Sequence, residues 1–531
     1  MKFSPVSSLL KASLFSLLAA PALLGAAEIQ LLKHGDWTDT TLWTGGVVPA
    51  SPGAAAAHSV VISNLATPSG TVLVNGGAGQ YNLLGLSYDE SVGVMFRNST
   101  DVTNNNVVLN ITGDLVKKGS GTLQFRNNTN GSIALNVEGD LTIKEGIVYV
   151  GVAAAGAANF TVQGNTTVES GLLSMRLGRR GTEAVPTLFG NVSIGATGAI
   201  ELSSGGNSSA TAEYFRFDGL NGAGTVSVTN ATATAYTGEL IVRSTGNDLY
   251  SGAINQAGTA TLRFNKEGSG SLTLSGSSTF GGGTKVTEGR LIAAHANALG
   301  TGAVAVGTAA TLEIGEGTAI TNAVTIDGGT VLVNGQLNTP SEAVAFTGRG
   351  GAIGGNGEIS VGLRLTSTQQ TLTPGEGVGT LTFSADQAWE AFSYDWELAD
   401  WSNLPGDAGV SYDQIAISQT LDLSLATEVR FTISSLNGIA LSELDGFDGE
   451  DMHSWTILEA DGGIIGFDAD LWQIGTASGF ADVPALWSLA QEGNAIVLRY
   501  QSIPEPGTVS LLLVAFAGGT FIRRRSARVL L

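Results

Sequence analysis

Short runs of alternating apolar and polar residues recur along almost the whole chain, as in "GTLQFRN" from Gly121, "IALNVEG" from Ile133, "LTIKEGIVYVG" from Leu141 and "NFTVQGNTTVESG" from Asn159. Alternation over four to eight positions, broken by Gly, Asn or Ser, marks strands with one buried face. Longer helical periodicity is confined to the two terminal segments. The chain therefore reads as all-β, made of many short strands. Gly and Asn suit the corners between them because both accept positive φ at low cost.

Two local motifs repeat. "KKGSGTLQF" from Lys117 returns as "KEGSGSLTL" from Lys266, with weaker copies in "GLNGAGTVSV" from Gly219 and "GGNGEISV" from Gly354. The second motif joins two apolar strands through a Glu or Ser and a Gly, in "TIKEGIVYV" from Thr142, "TVESGLLSM" from Thr167 and "KVTEGRLIA" from Lys285. The first two of these lie about 25 residues apart, which suits one coil of a solenoid whose stacked coils bury a column of Val, Ile and Leu. The expected fold is a right-handed parallel β-helix.

Composition narrows the partners. The 531 residues include 74 glycines, 12 prolines, 43% apolar and 13% charged residues, which fits neither collagen nor a charged disordered chain. A formal net charge of −21 argues against nucleic acid and against anionic membrane surfaces as partners. There is no cysteine, so an exported form depends on packing and ladder hydrogen bonds.

The ends carry addresses. "MKFSPVSSLLKASLFSLLAAPALLGAAEIQ" has Lys2 and Lys11, an apolar stretch and a small-residue exit, which predicts a signal peptide over 1–27, cut at Ala27 and read by the Sec export machinery. At the other end, the run from Thr508 to Ile522 is apolar or small and is followed by Arg523, Arg524 and Arg525. It predicts a short C-terminal transmembrane helix, below the roughly 20 residues of an ordinary span, and its arginines predict a cytoplasmic end.

The stretch "GSGSLTLSGSSTFGGGTKVTEGRLIAAHANALGTGAVAVGTAATLEIG", Gly268 to Gly315, resembles the autotransporter-associated β-strand repeat of secreted passenger regions. That resemblance implies the solenoid fold. The residues after it are too few for a passenger-export barrel, so it does not imply that export route. Pro504, Glu505 and Pro506, with the short apolar segment and the arginine cluster, are similar to the PEP-CTERM sorting tail. This second resemblance implies an exosortase as processing partner and a transient hold in the inner membrane. The protein would end at the cell surface or outside the cell, with exopolysaccharide or other matrix components as further partners.

Residues 386–500 differ in composition. About twenty acidic residues face only Arg430 and Arg499, and Trp389, Trp396, Trp401, Trp455, Trp472 and Trp487 concentrate there. Tryptophans on alternating strands are more often core than a sugar platform. The segment is expected to form a β-rich, sandwich-like cap, with "DGFDGED" from Asp445 only suggestive of a calcium loop.

The expected organisation is a signal peptide over 1–27, a degenerate solenoid over 28–265, a repeat-bearing solenoid over 266–385, the cap over 386–500 and the sorting tail over 501–531. Catalytic signals are thin. His34, His58, His295 and His453 are isolated, and the basic cluster Arg176, Arg179 and Arg180 near Glu183 suits a surface patch. No catalytic residue, metal site or cofactor is expected. A non-enzymatic surface or matrix protein is the leading reading, and a polysaccharide-binding or lyase-like β-helix the alternative.

Overall fold

The computed structural model describes residues 27–502 except 52, 64, 66–69, 75–78, 99–105, 127–131, 152–156, 178–186, 205–212, 230–235, 341–342, 402–403, 405–406, 448–451, 477–479 and 481–484. Among the described residues the chain is all-β, with short 3-10 turns as its only helical elements. It winds as a solenoid. One coil runs through Ser132–Val137, Leu141–Ile143 and Ile147–Gly151, and each strand pairs in parallel with its counterpart in the next coil, Ala157–Val162, Thr166–Val168 and Leu172–Leu177. We call these three stacks the first, second and third ladders.

Alternation explains the packing. In Ser132–Val137 the residues Ile133, Leu135 and Val137 point inward and are buried, while Ala134 and Asn136 point outward. Parallel pairing then stacks like on like: Leu135 sits between Leu109 and Phe160. Phe189 continues the aromatic stack, 5.2 Å from Phe160 and 5.7 Å from Phe217. Each such side chain contributes about 1.5–3 kcal/mol of burial. The outward side chains also stack. Asn110 Nδ2 donates to Asn82, Asn136 Nδ2 to Asn110, and Thr161 Oγ1 to Asn136, at 2.8, 2.9 and 2.8 Å.

The coil shortens towards the middle of the chain and lengthens again after residue 386. Neighbouring side chains in the early coils are bonded across 25 to 28 residues, and the side chains of Asn322 and Thr347 reach carbonyls 20 to 22 residues back. The third ladder is interrupted between its strands Ile254–Gln256 and Ala319–Ile320. There the non-strand residues Phe280 and Leu299 fill the core instead. Long strands such as Thr284–Ala293 and Val304–Ile314 pass through both the first and second ladders, joining them. The ladders run without a break through positions 265/266 and 385/386.

The two repeated sequence motifs are the two layers of one corner. Lys117 Nζ is buried and donates to the carbonyls of Gly119 in its own turn and Glu145 in the next coil. Lys266 Nζ does the same with Glu267 at 2.8 Å, Gly268 at 2.7 Å and Glu288 at 3.3 Å. The Gly that follows each Glu, Gly146 or Gly289, has φ near +70° and lies over the turn below. The copies nevertheless turn different corners. Lys117 ends a second-ladder strand, whereas Lys266 ends a first-ladder strand. The Lys motif is therefore a transferable turn, and the spacing of its two copies does not report the coil length. Thr142, in contrast, pairs directly with Thr167, so the 25-residue spacing of the second motif is one coil, as expected.

Residues 386–500 correct the expectation of a sandwich-like cap. Gln387–Leu398 extends the first and second ladders in parallel, Glu428–Ser435 and Trp472–Thr476 extend the second, and Gln414–Ile417 and His453–Ala460 extend the third. Among the described strands of this region only the last hairpin, Ala485–Glu492 with Ala495–Ser502, pairs antiparallel, within itself and with His453–Ala460. Alternation within a strand is the same in both architectures, so it could not separate them. Trp389, Trp396, Trp401, Trp455 and Trp472 are buried and Trp487 is half-buried against this core. They fill the widened final coils and offer no sugar platform. At the opposite end Trp37 packs edge-on against Trp43 at 4.9 Å, with the indole N–H groups bonded to the carbonyls of Ala50 and Trp37.

Candidate functional site

The outer face of the second ladder carries a groove of about 710 Å³. Its floor is set by register. Thr311 pairs with Thr330, Leu332 with Gly354, Gly354 with Thr373, Asp395 with Thr432, and Glu397 with Ser434. Gly354 puts no side chain between Leu332 and Thr373, and a Cβ there would press into the Thr373 carbonyl. The walls are the turn Pro374 to Gly377 and the residues Leu436 and Asn437. Asn437 is the one non-glycine with positive φ among the described residues, a conformation Asn tolerates better than most.

Three carboxylates shape the field. Asp395 and Glu397 flank the inward Trp396 and so share the outward face of one strand. Neither forms an ion pair among the described residues; Asp395 is hydrogen-bonded to Thr432. The protein crowded around them raises both carboxyls above their ordinary range, and Asp395 adds repulsion at Glu397. Asp413 is buried behind them and accepts from the amides of Gly379 at 2.7 Å and Glu397 at 2.9 Å. Burial pushes it up to about 8, against those two amides. It holds the groove strand against the adjoining turn.

A clamp closes one end. Arg290 donates to both oxygens of Glu376 at 2.6 and 2.8 Å and to Glu313 at 2.9 Å, bringing together residues 86 apart in sequence. Arg290 lies in "EGRL" and Glu376 in "PGEG", so the repeat arginine reaches across to the turn that walls the groove. Arg290 holds Glu376 below the ordinary glutamate range, outweighing partial burial. A depressed acid contributes stability above its unfolded pKa and loses it as pH falls. Glu376→Gln should therefore cost about 1 kcal/mol at pH 7, as for a partly exposed pair, and less at pH 3 than at pH 7. Urea unfolding at the two pH values checks this.

The sequence-predicted positions do not gather here. Ala27, the predicted cleavage position, opens the strand Ala27–Gln30 and pairs with His58. Pro504, Glu505, Pro506, Arg523, Arg524 and Arg525 lie outside the described residues, as do Arg179, Arg180 and Glu183. Arg176 sits on a third-ladder strand between Gly151 and Ser203. The histidines are dispersed: His58 Nδ1 lies 3.1 Å from the Pro49 carbonyl, His295 accepts from Asn297, and His453 stacks near Trp401 and Trp455. Among the described residues no group of three or more His, Asp or Glu is disposed to hold a metal. None of their helices is long and apolar enough to cross a membrane. Of "DGFDGED", Asp445 accepts from the Trp401 amide through its carbonyl, and the last four residues lie outside the described set.

Sequence reasoning missed the groove. "SYDWEL" held the signal, since Tyr394 and Trp396 inward leave Asp395 and Glu397 outward together. What it could not show is that Asp413, Thr373 and the Pro374 turn come alongside.

Fold and surface together define a parallel β-solenoid with a grooved outer face. The model of the passenger-associated transport repeat matches residues 264–293, the corner that contains Lys266, Gly289 and Arg290. In that segment the chain is similar to the passenger regions of autotransporter-associated surface proteins. No curated protein matches the chain.

Proposed function

We propose that this chain is an exported, non-enzymatic solenoid that acts as a structural or adhesion element at the cell surface or in the extracellular matrix. The passenger-associated repeat, embedded where the first and second parallel ladders run on without a break, carries the reading. Sec export removes the leader near Ala27. An exosortase processes the tail at Pro504, Glu505 and Pro506 while the segment ending in Arg523, Arg524 and Arg525 holds the precursor in the inner membrane. The short apolar run and its arginines support that step.

The test is processing. Mass spectrometry of protein recovered outside the inner membrane should find no peptide from Phe521 to Leu531, and Glu505→Ala should leave full-length precursor in the inner membrane. Surface protein that retains its arginines, or normal export of the variant, overturns the sorting role. A second reading, polysaccharide binding, is favoured by the groove of carboxylates and hydroxyls on the second ladder.

A further inference from the structure

The groove's lining chemistry restricts what it can hold. Its floor crosses the successive strands that carry Thr311, Thr330, Gly354, Thr373, Asp395 and Thr432, six rungs spanning about 24 Å at roughly 4.8 Å each. A floor of that shape accepts an extended polymer lying along the solenoid axis. Threonine and serine hydroxyls along it both donate and accept, which matches a polyol. Leu332 and Pro374 add a small apolar surface of the kind a sugar ring covers.

Charge then selects among polyols. Asp395 and Glu397 stand on one strand face without a cationic partner among the described residues, and the nearby Arg290 is taken up by Glu313 and Glu376. A chain bearing uronate or sulfate would bring anions against these carboxylates, within a protein of net charge −21. A neutral sugar would leave them without a counter-charge. A ligand with ring hydroxyls and ammonium groups satisfies both sets at once, through charge-assisted hydrogen bonds.

We propose that this groove binds an extended hexosamine chain, a polysaccharide whose sugar rings carry free ammonium groups. This deepens the polysaccharide-binding reading and rests on it for the class of ligand. The hydroxyl ladder from Thr330 to Thr432 holds the rings in line, and Asp395 with Glu397 receives the ammonium groups. The Arg290 to Glu376 clamp closes one end.

Calorimetric titration of the full chain at pH 7 with a glucosamine hexamer, its fully N-acetylated counterpart and a hexauronate tests the assignment. The free-amine hexamer should bind, the acetylated one at least tenfold more weakly, and the uronate not at all. Asp395→Asn with Glu397→Gln should weaken binding at least tenfold while cooperative melting is retained, because the substitutions keep the space and remove a repulsion. The single Glu397→Gln variant serves should the double variant fail to fold. Glu316→Gln, an exposed turn residue away from the groove lining, should bind as the parent does, which separates the site from general attraction to an acidic protein. Equal binding of the acetylated hexamer, undiminished binding by the double variant, equal loss in Glu316→Gln or no binding at all overturns the proposal. Loss of binding with normal Glu505-dependent sorting sinks the groove alone; binding with abnormal sorting sinks the surface assignment alone.

Discussion

Gly289→Ala is expected to destabilise the repeat-bearing coils by roughly 2–5 kcal/mol, read as a lower urea midpoint by circular dichroism. The estimate combines about 1–2 kcal/mol for a left-handed backbone with about 1–3 kcal/mol for overpacking. Gly289 has φ +69°, and a Cβ on it would press into the carbonyl oxygens of Gly268 and Gly270 in the coil below. Those atoms are main chain and belong to the turn that Lys266 fastens, so they cannot rotate away as a flexible side chain would. Gly317 provides the comparison. Its φ is +70°, but a Cβ there meets nothing within 4 Å, so Gly317→Ala should cost only the backbone part, about 1 kcal/mol. Equal losses in the two variants would show that stacking at the Gly289 corner adds nothing.

This corner shows which parts of the fold were legible in sequence. The motifs at Lys117 and Lys266, and at Thr142 and Lys285, are visible because a Lys before a Gly-Ser-Gly turn recurs as a unit, and a Glu-Gly turn recurs between two apolar strands. Their partnership was not legible, because it lies between coils: Lys117 meets Glu145 and Lys266 meets Glu288 only after winding. Residues 386–500 illustrate the reverse. Their alternation predicted strands well, and burial of Trp396 and Trp455 follows from it. Pairing direction did not follow, since the long connections that return Glu428–Ser435 to Gln387–Leu398 in parallel leave no periodic mark. The groove was hidden for the same reason. Asp395 and Glu397 are one strand's pair, whereas Thr373, Asp413 and Asn437 come from separate turns of the solenoid.

Lys266 gives the second large effect, and its sign follows from burial. The side chain is fully buried, and loss of hydration pushes its ammonium down to about 8, although Glu288, Asp248 and Glu267 all act to raise it. A base depressed in the folded state binds fewer protons there than in the unfolded chain between about pH 8 and 10.5. Stability from this group therefore rises with pH across that window and is flat below it. Tyr250, raised by burial, acts in the opposite sense above about pH 10, where unfolded tyrosine ionises first. Comparison with Lys266→Met cancels that contribution. Methionine keeps the stem in the core but cannot titrate, so parent minus variant stability should increase by up to about 3 kcal/mol between pH 8 and 10.5. Parallel pH profiles would mean that the Glu267, Gly268 and Glu288 carbonyls stabilise the ammonium as fully as water does, and that the corner tolerates its buried charge without cost.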